Sequence, residues 1–92
     1  SQFPIDKTKV EGSIMNNKKL IEAFCNALEI DASIVKDDLQ YQSIEQWDSI
    51  SHMILIAEIE DVFDIEIDTD DVIDMSTVGK AKEILNKNGI EF

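Results

Sequence analysis

Arginine is absent from this chain, and basic residues of any kind are scarce: eight lysines stand against twenty acids, a formal net charge of −12. Such a surface repels nucleic-acid backbones and anionic lipid headgroups, which argues against both as partners and points to proteins with basic patches. A single cysteine, Cys25, leaves no internal disulfide to form and fits a reducing, cytoplasmic setting. Apolar runs never approach the roughly 18 residues of a membrane-spanning helix, and no signal-peptide pattern is visible. With three glycines, no phosphate-cradling loop can be written, and one cysteine with one histidine makes no zinc pattern. One proline, Pro4, and a Gly12-Ser13 pair both fall near the N-terminus. There are no repeats and no low-complexity tracts.

What is present is one small domain. Ninety-two residues leave no room for a second, and a chain of this size has little interior to spare for a deep enzymatic cleft. Ser1 to Ser13 read as an irregular polar tail. The division is therefore 1–14 as a disordered tail or expression remnant, with Met15 a native start, and 15–92 as the folded domain. A genuine N-terminal extension is the competing view.

Helical spacing of Leu20, Ile21, Phe24, Ala27 and Leu28 predicts a first helix from Asn16 or Asn17 to about Glu29, with Cys25 a half-buried filler. A long connection, Ile30 to Trp47, follows, with a short helical turn near Ser33. Loops of this length are usually functional or hide a small element. A second helix covers Ser49 to about Phe63. Asp64 to Asp68 alternates like a strand but has no partner strand, and reads as an extended linker with Ile65 and Ile67 turned inward. Thr69 or Asp70 caps a short third helix, Asp71 to Met75. Ser76 or Thr77 caps the last, which carries Val78, Ala81, Ile84 and Leu85 on one side and stops at Asn88-Gly89. The fold class is all-α: a small bundle of three main helices plus one short helix, monomeric.

The most pointed feature is Trp47-Asp48-Ser49-Ile50. Asp48 is a preferred N-cap, which makes Ser49 the first residue inside the second helix. Its hydroxyl is exposed at the positive end of the macrodipole, where a phosphate esterified to it would be favoured. At roughly 100° per residue, the second helix shows two apolar faces. Leu55, Ile56, Ile59, Val62 and Phe63, joined by His52, form a core stripe. Ile50, Met53, Ile54 and Ala57 lie opposite, flanked by Glu58, Glu60 and Asp61. If the 30–47 connection folds over this second face, it is ordinary core. If not, it is an apolar docking strip with an acidic rim that steers basic partners. Thirteen of the twenty acids, and no lysine, fall between Asp37 and Gly79.

Catalysis finds no support. His52, the only histidine, sits one turn after Ser49 but points to the core stripe, and no G-x-S-x-G elbow exists. A calcium loop begun at Asp64 offers Asp64, Glu66 and Asp68, but has Thr69 where glycine is required and Met75 where the closing glutamate belongs. No catalytic and no metal-ligating residues are assigned.

Asp48-Ser49-Ile50, Glu60-Asp61-Val62-Phe63, the isoleucines Ile65 and Ile67, and Thr77-Val78-Gly79 occur in one order and spacing. Over roughly residues 15 to 87 the chain resembles the acyl carrier proteins, whose signature is Asp-Ser-Leu at a helix start. The resemblance implies a stand-alone carrier of acyl or aminoacyl groups that performs no chemistry itself. Ser49 would bear a covalent 4′-phosphopantetheine arm whose thiol holds the cargo as a thioester. Asp48 would help a phosphopantetheinyl transferase position its magnesium. Acyl-loading and acyl-transferring enzymes with basic patches would be the further partners. The sequence departs from the fatty-acid carriers in having Ser51 and Ile54 where acids are common, and Trp47 where small residues are. Those departures point to a specialised pathway (polyketide, peptide or surface-glycan acylation) rather than bulk fatty-acid synthesis. A peptidyl carrier of a nonribosomal pathway and an unmodified acidic interaction module are the alternatives.

Overall fold

Sixteen apolar side chains, drawn from every helix but the shortest and from the segments between them, meet in one core. The computed structural model describes residues 7–92, with side chains from residue 12 onward. The helices are α1 (Lys7–Leu28), α2 (Ser49–Phe63), α3 (Thr69–Asp74) and α4 (Val78–Lys87), with a single 3-10 turn at Ala32–Ile34 near the predicted position. Among the described residues the only β pairing is an isolated antiparallel bridge between Gln40 and Thr77. The predicted all-α bundle is what forms.

α1 corrects the sequence reading at its start. It begins at Lys7, not at Asn16 or Asn17, so residues 7–13 are helical rather than an irregular tail. Residues 1–6 of that tail lie outside the described residues. Gly12 does not break the helix, because one glycine costs only about 1 kcal/mol relative to alanine. The lysines and glutamate around it are good helix formers. Ile14 and Met15 stay exposed, so apolar periodicity gives no sign of the helix at these two positions. Further along, Leu20, Ala23, Phe24, Ala27 and Leu28 are buried, and the helix packs chiefly on α2. Glu29 then takes a left-handed conformation, φ 56°, just past the helix end. Cys25 is half-buried, and burial with Asp31 and Glu22 nearby pushes its thiol up, away from reactivity.

The long connection contributes Val35 and Trp47 to the core and packs Leu39, Tyr41 and Ile44 against it. It is pinned along the α3–α4 junction by backbone bonds: Tyr41 N–H to Ser76 (2.8 Å), Val78 N–H to Leu39 (3.1 Å) and Gly79 N–H to Asp37 (3.0 Å). A Cβ on Gly79 would stand 3.2 Å from the Asp37 carbonyl oxygen, so this crossing needs a residue without one. Held there, the connection does not cover the second apolar face of α2.

α2 has the predicted span, and closes on Asp64 in the left-handed region (φ 53°), whose N–H bonds the Glu60 carbonyl. Past it, Ile67 is buried and Ile65 half-buried, as the alternation implied. The short helix is shifted from the expected Asp71–Met75. α3 runs Thr69–Asp74, and its N-cap is Asp68 rather than Thr69 or Asp70. Burying Ile67 obliges the chain to stay extended only through Asp68, after which Asp70 and Asp71 sit in the first turn, where the macrodipole favours acids. Met75 follows the helix and is buried. Thr77 caps α4 by accepting the Lys80 N–H at 2.9 Å, and Val78, Ala81, Ile84 and Leu85 are its buried face.

Candidate functional site

The N-terminus of α2 is built by a reciprocal cap. Asp48 Oδ1 accepts the Ser51 backbone N–H at 2.9 Å, and Ser51 Oγ accepts the Asp48 N–H at 2.8 Å. The backbone bond from Ser51, then its side-chain bond, hold the Asp48 carboxyl below the usual carboxylate range. Ser49 is the first residue of the helix and is exposed. Trp47, immediately before, is fully buried and edge-on to Phe24, with ring centroids 5.3 Å apart. The corner is thus anchored by an interior indole and capped by a charged side chain, and it leaves Ser49 exposed.

Beside Ser49 lies a groove of about 360 Å³, lined by Tyr41, Ser49, His52, Met53, Val72, Ile73 and Met75. None of those side chains carries a formal charge, counting His52 as neutral. His52 belongs to the core stripe as its position on the helix wheel implied, and is buried. Trp47 donates its indole N–H to Nδ1 (2.9 Å), and Nε2 faces the Val72 carbonyl (2.8 Å). Neither nitrogen is left to act as a base for Ser49, so the side chains beside the serine do not make a nucleophile–base pair.

The second face of α2 is open. Ile50, Met53 and Ile54 are 73%, 59% and 52% exposed, and Ala57 is exposed with them. Asp61 is exposed and Glu58 half-buried. Glu60 does more than line a rim: its carboxylate accepts the Ile67 backbone N–H at 2.8 Å and secures the linker. Ile73 of α3, 77% exposed and across the groove from Met53, extends the apolar surface and escaped the sequence reading. So did Tyr41. The orientation of a six-residue helix is set by what it packs on, and no periodicity within six residues can report it. Among the described residues, no three histidine, cysteine or carboxylate side chains gather to hold a metal ion.

An exposed serine thus stands at a capped helix start, beside an uncharged groove and an apolar strip. Residues 18–85 match the profile of the phosphopantetheine attachment site family. The chain is also 31% identical, over 70 residues, to an acyl carrier protein of Lactobacillus johnsonii, a match spanning 76% of this chain and 88% of that protein. No solved structure matches significantly. The chain belongs to the acyl carrier protein family, as a phosphopantetheine attachment domain. Members of that family are carriers rather than catalysts. Proteins of this family meet phosphopantetheinyl transferases and acyl-handling enzymes, and no helix among the described residues is long and apolar enough to cross a membrane.

Proposed function

We propose that Ser49 is the residue that receives 4′-phosphopantetheine, and that the protein presents acyl or aminoacyl cargo on the resulting thiol to a series of enzymes. The observation that carries this reading is the exposure of Ser49 at the first position of α2, directly after the capping Asp48. The phosphodiester formed there would meet the free N–H groups of a first helical turn. Asp48 is the residue we assign to positioning the transferase's magnesium. Ile50, Met53, Ile54 and Ala57 form the docking strip, with Glu58, Glu60 and Asp61 at its border. The strip would supply contact energy, and the acids would orient partners bearing basic patches.

The test is direct. Incubation with a broad-specificity phosphopantetheinyl transferase, coenzyme A and Mg²⁺ adds one arm by intact mass, and Ser49→Ala abolishes the addition. An unchanged wild-type mass would make the chain an unmodified interaction module.

The pathway we assign is specialised. The greasy α2 face, with Ile54 and Ser51 where the fatty-acid carriers commonly have acids, supports this. In reconstituted fatty-acid synthesis the loaded protein should fail to replace the housekeeping carrier. Full replacement would refute the assignment while leaving Ser49 in place.

A further inference from the structure

Trp47, His52 and Val72 come from three parts of the chain: the end of the long connection, α2 and α3. One imidazole joins them. The indole N–H of Trp47 donates to His52 Nδ1 at 2.9 Å inside the core, and His52 Nε2 lies 2.8 Å from the Val72 carbonyl oxygen. An indole N–H can only donate, and a backbone carbonyl can only accept. The two partners therefore dictate the neutral imidazole with its hydrogen on Nε2. The ring lies 28° from the plane of the Trp47 indole, and the Tyr41 ring packs 5.1 Å away. Carrying a tether on Ser49 does not require a histidine at this place, since an apolar side chain would fill the same stripe.

α3 has few other ties. None of its own residues is fully buried. Lys87 to Asp71 (2.8 Å) and Lys80 to Asp74 (3.3 Å) hold it to α4 at the surface, where ion pairs are weak. Yet Val72 and Ile73 of α3, with Met75, form one wall of the groove whose other wall is Ser49, His52 and Met53.

We infer that His52 is a positioning residue for this site: its neutral imidazole clamps α3 and the Trp47–Ser49 corner into one arrangement, and uptake of a proton releases the clamp. A hydrogen added at Nδ1 points at the indole N–H, so an acceptor becomes a second donor and Trp47 loses its partner in the core. The Nε2–H bond to Val72 survives as a charge-assisted one, but it ties α3 only to the imidazole, and the ring no longer fastens α3 to the Trp47 corner. Other titratable groups surround the ring. Tyr41 approaches from the connection. On α2, the Asp48 carboxylate is turned to the Ser51 amide. On α3, Asp71 and Asp74 are paired with Lys87 and Lys80, and Asp70 is exposed. α1 brings the uncharged Phe24 against Trp47.

The consequence for the arm rests on the reading of Ser49 given above, but the clamp is testable without it. On the unmodified full chain, NMR follows the Trp47 indole N–H and the amide exchange of residues 72–75 between about pH 8 and 5, the range in which imidazoles change charge. After correction for intrinsic exchange, α3 amides should exchange several-fold faster at the acid end, and the indole resonance should move with them. His52→Gln offers an acceptor and a donor but takes up no proton, so it should remove this pH dependence. Trp47→Phe keeps a ring and lacks the donor, and should show the faster α3 exchange already at pH 8. Constant indole and α3 behaviour in the wild type overturns the inference. So does a His52→Gln profile that tracks the wild type, or slow α3 exchange in folded Trp47→Phe. In the transferase assay, the wild-type to His52→Gln ratio of kcat/KM should fall several-fold on acidification, and a flat ratio overturns the link to the site. A wild type left unmodified at every pH would instead defeat the attachment reading, with the NMR result standing by itself.

Discussion

Ser49 and Asp48 are neighbours with separable jobs. Ser49 is exposed, and among the described residues its hydroxyl has no hydrogen-bond partner, so Ser49→Ala should change stability by no more than about 0.5 kcal/mol. Loss of arm addition in that variant then reports chemistry and not unfolding. Asp48 holds the cap, and its folded carboxyl is lowered mainly by the Ser51 amide. A lowered carboxylate stabilises the fold above its unfolded value, about 3.9, and the contribution disappears as pH falls through the folded value. Asp48→Asn keeps a cap acceptor without the charge. Acid unfolding of the two proteins, followed by circular dichroism, should therefore separate them near neutrality and converge below about pH 4.

Two glycines show how differently an element can use the same residue. Gly12 lies within α1, and a Cβ added there would meet nothing within 4 Å. Gly12→Ala should raise stability by about 0.5–1 kcal/mol, measured by urea unfolding, because helix propensity is the main thing altered. No gain would mean that this turn of the helix is not formed in solution. Gly79 is where the α3–α4 junction crosses the long connection, and there a Cβ would press on the Asp37 carbonyl. Gly79→Ala should cost about 1–3 kcal/mol as the two backbones separate. The same crossing holds the connection along the α3–α4 junction, and Ile50, Met53 and Ile54 of α2 stay exposed.

For the molecule as a whole, charge is the dominant fact. Lys80, Lys82 and Lys87 of α4 reach Asp74, Asp37 and Asp71, so the lysine-free acidic stretch is partly compensated from another helix. The net −12 already counts those lysines, and self-repulsion of that size opposes the compact state. Added NaCl or Mg²⁺ should therefore raise the melting temperature. Salt should slow encounter with a basic partner at the same time, because the Debye length shortens to about 8 Å at physiological ionic strength. A melting temperature indifferent to salt would show that the acids are already balanced within the fold.

Sequence alone determined the local: an all-α chain, a helix from Ser49 to Phe63, a cap at Asp48, inward isoleucines in the linker, and a serine at the first position of the helix. Those follow from capping rules, periodicity and a short ordered motif, all of which act over a few neighbouring residues. Helix reach without burial, as at Ile14 and Met15, leaves no apolar pattern and stayed invisible. Only the tertiary structure decided which α2 face is covered, how the six residues of α3 are turned, and that Tyr41, Trp47, His52 and Ile73 meet around Ser49. Such outcomes depend on contacts between segments distant in the chain, where packing and backbone pairing, not local propensity, set the geometry.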